Sequence, residues 1–159
     1  MQVTIACVGK LKEKYWVEAY EEFAKRLQPY CKLNLAFIME EKMPENPSDA
    51  TKDKVLSKET ERLMELIPKN SYVILLDVIG KEMSSPELAA KIDQLAVEGK
   101  SHLTFVIGGA FGYTDALRQR ADYRWSFSKL TFTHQMIRVM LVEQISRAFK
   151  ISKNEKYHK

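Results

Sequence analysis

The sequence predicts an α/β fold: one domain with a mainly parallel sheet and helices on both faces. Three observations carry that reading. Strand-like and helix-like segments alternate along the whole chain, five of each, which is the pattern of repeated βα units. The run YVILLDV at residues 72–78 is almost continuously apolar, as a strand covered on both faces would be. The segments between strands space their apolar residues at helical intervals.

Taken in order, residues 3–9 form a short apolar strand closed by Gly9. Residues 14–28 carry Trp16, Tyr20, Phe23 and Leu27 at helical spacing, and Pro29 stops them. A second strand covers 33–39. Residues 40–50, with Pro44, Asn46 and Pro47, read as a loop. A charged amphipathic helix over 51–67 then presents Leu56, Leu63, Leu66 and Ile67. After the strand 72–78, Ser85-Pro86-Glu87 supplies an N-cap, a proline at the first helical position and an early carboxylate. Leu88, Ile92 and Leu95 mark that helix's inner face, and Gly99 ends it. Residues 102–107 form another buried strand, 114–120 a short helix, and 123–127 the fifth strand. The last helix, 134–151, places Ile137, Met140, Leu141, Gln144, Ile145 and Ala148 on one face. No repeat or break in composition divides the chain, so residues 1–159 read as a single domain.

The bulk properties narrow the class. A chain of 159 residues can enclose a real core. No apolar run approaches the ~18 residues of a transmembrane helix, so no membrane partner is expected. The opening residues lack the basic-then-apolar layout of a signal peptide. Cys7 and Cys31 are too few for a disulfide framework or a metal site. A cytoplasmic protein with reduced thiols is the expectation. Charge is uneven: residues 118–159 hold ten Lys/Arg against three acids, so the first 117 residues carry −3 of a net +4. That asymmetry fits a polyanion-facing half, and equally a solvated helix face with a basic tail.

Ligands of open α/β sheets bind beyond the carboxyl ends of the strands. Three such ends stand out: Leu75-Leu76-Asp77 to Gly80, Ile107-Gly108-Gly109 to Gly112, and the polar loop Phe127 to Phe132. The glycines either admit a ligand to the backbone or only make a tight turn. Neither a P-loop nor a GxGxxG fingerprint in the first βα turn is present, which removes the usual nucleotide readings. No serine sits on a G-x-S-x-G elbow. His102 reads as a packing or hydrogen-bonding residue at a strand start, and His134 as a cap. His158 has no packing reason to be where it is. The Tyr157-His158-Lys159 terminus, so close to a helix that begins at a polar loop, suggests a tail folded back over that loop.

Together, LLD…G, IGGAFG, SFSKLTFTHQMIRVMLVEQISRA, the terminal YHK and the opening ACVGKLKEKYW resemble the RlmH family of SPOUT methyltransferases across essentially the whole chain. The resemblance implies a homodimer whose C-terminal region, about 72–159, is threaded into a trefoil knot; physics alone would not propose one, because knots are very rare. It implies S-adenosyl-L-methionine as methyl donor, held without a metal by Leu76, Gly108, Phe127, Ser128, Lys129, Leu130, Thr131 and Phe132. The acceptor it implies is N3 of pseudouridine 1915 in 23S rRNA of the assembled 70S ribosome. His158 then suits removal of the N3 proton or orientation of the base, with Tyr157 packed near the acceptor. Arg124, Arg138, Lys153, Lys156 and Lys159 are candidates for rRNA phosphates. One departure is local: where family tails usually carry a glycine before the final Tyr-His, this chain reads Lys153-Asn154-Glu155-Lys156. Asparagine tolerates the left-handed conformation such a turn needs. On the residues alone, a non-catalytic ribosome- or RNA-binding factor and a small-molecule enzyme with another nucleotide stay open.

Overall fold

Short apolar strands separated by amphipathic segments too long for hairpins must return through crossovers, and the chain does so four times. The computed structural model describes all residues, Met1–Lys159. Its elements alternate as β1 (Gln2–Val8), α1 (Lys14–Leu27), β2 (Lys32–Ile38), α2 (Asp49–Glu65), β3 (Tyr72–Glu82), α3 (Ser85–Val97), β4 (His102–Val106), α4 (Asp115–Arg120), β5 (Tyr123–Ser126) and α5 (His134–Ser152). The strands form one sheet in the order β2-β1-β4-β3-β5, every pair parallel.

Alternate residues of each strand feed two cores. Val3, Ile5 and Cys7 of β1 join Leu103, Phe105 and Ile74 under α1, α3 and α5. Ala6 and Val8 join Val73, Leu75 and Val106 on the face that Leu63 of α2 and Leu117 of α4 cover. No helix is long and apolar enough to cross a membrane. The helix α5 packs between α1 and α3. Its buried set therefore exceeds the one stripe expected, adding Arg138, Val139, Val142, Ser146 and Phe149, while Met140 and Gln144 stay half-exposed.

Two local details differ from the sequence expectation. The helix α3 is capped by Ser84 rather than Ser85. A capping box needs its Ser three residues before the Glu, and Ser84 Oγ accepts the Glu87 N–H while the Glu87 carboxylate accepts the Ser84 N–H. The strand β3 runs four residues past the expected end, because a bulge interrupts it without ending it. Leu76 and Lys81 both pair with Trp125 of β5, so residues 77–80 loop out of register. Within the bulge Asp77 Oδ1 accepts the Ile79 N–H at 3.2 Å. Gly80 lets the chain press against β5, where a Cβ would stand 2.6 Å from the Arg124 carbonyl oxygen.

Candidate functional site

The bulge within β3 and the connections that follow β4 and β5 surround a cavity of about 970 Å³. The β3 bulge, the glycine loop after β4 and the loop before α5 each contribute a wall. Leu76, Gly108, Phe127, Ser128, Leu130, Thr131 and Phe132 all line it, whereas Lys129 is exposed outside it. The start of α1 closes the remaining side with Glu13, Tyr15 and Trp16. Trp125 completes the floor, 4.5 Å from the Phe127 ring, so both tryptophans of the chain face this space.

The glycine loop is braced from two sides. A Cβ on Gly108 would fall 2.4 Å from the Tyr113 ring, and one on Gly109 2.5 Å from Glu59 Oε1. Tyr113 is fixed by donating to the Leu76 carbonyl at 3.2 Å. Burial, with Asp77 nearby, pushes its phenol above the usual range. From α2, Glu59 Oε2 accepts the Glu41 N–H at 3.1 Å and Thr60 Oγ1 accepts the Thr114 N–H at 3.1 Å. Only 8% of Glu59 is exposed, and burial raises its carboxyl above the ordinary value. Under the β3 bulge, Asp77 is buried with Oδ2 3.5 Å from Arg118 Nε and 3.7 Å from Arg124 Nη1. At the rim, His134 Nε2 stands 3.6 Å from Glu40 Oε1. Thr133, not His134, caps α5, its hydroxyl accepting the Met136 N–H.

The tail does not fold over this cavity. Tyr157 donates to Glu143 Oε1 at 3.1 Å, and Arg147 Nη1 approaches His158 Nδ1 at 3.3 Å. Those anchors lie nine to thirteen residues along α5 from His134, or about 14–20 Å at 1.5 Å per residue. The helix is rigid and the segment after it short, so within one chain Tyr157 and His158 stay on the far half of α5. Arg138 is a second correction. It is 1% exposed, with Nη2 donating to the carbonyls of Val8 at 3.2 Å and Gly9 at 3.0 Å, so no phosphate can reach it here. Arg124, Lys153, Lys156 and Lys159 are exposed.

The sequence reading passed over several wall residues. Trp16 resembled an ordinary core position of an amphipathic helix, and Glu13 and Tyr15 resembled its solvated start. Glu59 and Thr60 were hidden in a charged helix. Tyr113 carried the one usable signal, an aromatic directly after the glycine run.

The chain matches, over residues 1–158, the model of a family described as "Predicted SPOUT methyltransferase". It is 51% identical over 159 residues to the ribosomal RNA large subunit methyltransferase H of Clostridium acetobutylicum, covering all of both chains. It is 48% identical to the protein of the same name from Desulfitobacterium hafniense, covering all of this chain and 99% of that one. Among solved structures, a probable methylase family protein from Haemophilus influenzae superposes with a TM-score of 0.56. At 14% identity, over 99% of this chain and 70% of that one, that likeness speaks for the fold alone.

Proposed function

This chain belongs to the SPOUT methyltransferase family, and from that premise we propose that it methylates ribosomal RNA of the large subunit. More finely, S-adenosyl-L-methionine is the donor, and the acceptor is N3 of a pseudouridine in 23S rRNA of the assembled 70S ribosome. The observation that carries the reading is the cavity at the strand ends, where the glycine loop offers main chain and not side chains.

The wall residues fit such a donor. Phe127, Leu130 and Phe132 provide apolar surface for an adenine ring. Gly108 and Gly109 bring main chain instead of side chains to its edge and to the ribose, although the Gly109 carbonyl is taken by the Gly112 N–H at 3.1 Å. Glu13 brings a carboxylate to a ligand whose other end is cationic. When bound, the donor supplies a methyl group on a sulfonium, electrophilic without a metal. The protein must align the acceptor nitrogen and accommodate the loss of its imide proton.

His158 is suited to the second task as a donor of a hydrogen bond. Arginine can only donate, so the Arg147 contact requires an acceptor lone pair on His158 Nδ1. In the neutral ring the proton then sits on Nε2. His158 therefore presents an N–H to a carbonyl of the acceptor base, holding the charge that develops as the N3 proton leaves to water. Removing one such preorganised donor typically costs about 10²–10³-fold in kcat. Arg147 lies 4.8 Å and Lys150 5.5 Å from the Tyr157 ring, which would serve as a platform beside His158.

Because the tail lies far from its own cavity, it would serve the cavity of a second subunit. Ile79, Phe111 and Leu130, all large and exposed near the cavity mouth, are the apolar surface a homodimer would cover. The knot over about 72–159 belongs to the same reading. Arg124, Lys153, Lys156 and Lys159 would meet rRNA phosphates.

The test is methyl transfer from tritiated S-adenosylmethionine to 70S ribosomes lacking this modification. Free 23S rRNA and ribosomes without the pseudouridine run in parallel. Label confined to pseudouridylated 70S particles is the expected result. Donor binding without any label would instead favour a non-catalytic ribosome-binding factor. Label on free RNA alone would keep the methyltransferase and overturn the ribosome-level specificity.

A further inference from the structure

The end of α5 has an unusual stop. Asn154 adopts φ +57°, its N–H bonds to the Ile151 carbonyl at 3.0 Å, and the Glu155 N–H reaches back to the Lys150 carbonyl at 2.9 Å. These are the two bonds of a Schellman motif, with asparagine in the place glycine usually takes. That motif normally adds an apolar contact between the residue after the left-handed position and the third residue from the helix end. Here those two residues are Glu155 and Lys150, and the contact is an ion pair of 3.3 Å.

Glu155 is gripped a second time. Its other carboxylate oxygen accepts a short hydrogen bond from the Tyr30 hydroxyl, a residue 125 positions away in the turn between α1 and β2. Tyr30 has little freedom, because its ring stacks on Phe149 with centroids 5.8 Å apart and planes 10° from parallel. Lys150 Nζ lies 5.7 Å from the Tyr30 ring and 5.5 Å from the Tyr157 ring, so one cation joins both aromatics to the carboxylate. The next turn follows from this, since the Tyr157 N–H donates to the Glu155 carbonyl at 2.9 Å.

We propose that Tyr30, Lys150 and Glu155 form a latch that fixes where Tyr157 and His158 stand, making these three the positioning residues of the tail. The proposal rests on the methyltransferase reading above. It gives a purpose to Glu155, which sits where this chain departs from the tails it resembles. The hydrogen bond from Tyr30, foremost, lowers the Glu155 carboxyl below its ordinary value of 4.5, and the same bond raises the Tyr30 phenol. Both directions keep carboxylate and phenol in their bonded forms at neutral pH.

The test uses Tyr30→Phe, which keeps the stacked ring and removes the hydroxyl, and Glu155→Gln, which removes the charge. Both side chains are at the surface, so the fold survives either change. Amide hydrogen exchange at positions 155 and 157 should quicken about tenfold in each variant. The double variant should exceed either single, because Tyr30→Phe removes the hydroxyl bond to one carboxylate oxygen while Glu155→Gln chiefly removes the Lys150 ion pair on the other. On ribosomes, kcat should fall about tenfold while the dissociation constant for S-adenosylmethionine stays put. Lys150→Arg, which retains a cation, should keep most of the wild-type rate. Unchanged exchange would overturn the latch. Faster exchange with wild-type kcat would overturn its positioning role. A wild-type protein that labels no RNA would strike the enzymatic reading instead, which separates the two failures.

Discussion

Gly108 and Arg138 bracket what single residues disclosed. The glycines after β4 were legible because a GG-x-x-G run at a strand end has few uses. The contact that demands Gly108, Tyr113 ring carbon 2.4 Å from a would-be Cβ, was not. Gly108→Val should abolish measurable donor binding by calorimetry while the protein still melts cooperatively. Arg138 reads from sequence as a phosphate contact because charge alone does not tell a solvated cation from a buried one. Its register carries the sign of burial, since Leu141, Val142 and Ile145 on the same side are wholly buried. Arg138→Ala should cost about 2–5 kcal/mol through lost packing and two deprived carbonyls, read by urea denaturation. The salt dependence of ribosome binding should not change, whereas Lys156→Ala should reduce that slope by about one phosphate. For Glu59, burial raises the carboxyl above 4.5, so the fold holds its proton more tightly than the unfolded chain does. That contribution is complete below the unfolded value and is lost as pH rises through the folded one. Glu59→Gln should therefore gain in Tm relative to wild type as pH rises above about 4.5, by a few degrees at most.

The strand β3 sets the limit of legibility among elements. Its apolar half, Tyr72 to Leu76, was plain from composition. The continuation through Gly80 to Glu82 was not, since a bulge followed by renewed pairing depends on β5 and on the absence of a side chain at Gly80. Gly80→Ala would drive a methyl group into the Arg124 main chain, which cannot give way as a side chain could. A loss of about 1–3 kcal/mol is expected by urea denaturation. Altered chemical shifts should concentrate at Asp77, Arg124 and Trp125. The caps teach a related point: Ser84 was recoverable from its three-residue distance to Glu87, yet the neighbouring Pro86 drew attention to Ser85. The helix α5 was found with its start correct, but its partners on both sides widened the buried face beyond any single stripe.

For the whole molecule, alternation of strands and helices was enough to give a parallel sheet, because parallel neighbours require crossovers of this length. Strand order was not legible, since nothing local says that β4 inserts between β1 and β3. The cavity walls were legible in part: three came from strand ends, while the fourth, from α1, is 60 or more residues distant in sequence and declared itself only in three dimensions. A site shared between subunits makes a sharp prediction. His158→Ala and Gly108→Val homodimers should each be inactive, one lacking the donated tail and the other the cavity. Mixed and allowed to exchange, half of the dimers pair one chain of each kind and hold one intact site of two. About a quarter of wild-type activity should return. No recovery would confine each site to one chain. Finally, Trp16 and Trp125 are the only indoles in the chain, and both border the cavity. The protein's intrinsic fluorescence thus comes from the site itself. Any occupant that excludes water from those rings will register as an emission change, and replacing Trp16 with phenylalanine would leave Trp125 as a single-lamp view of the floor.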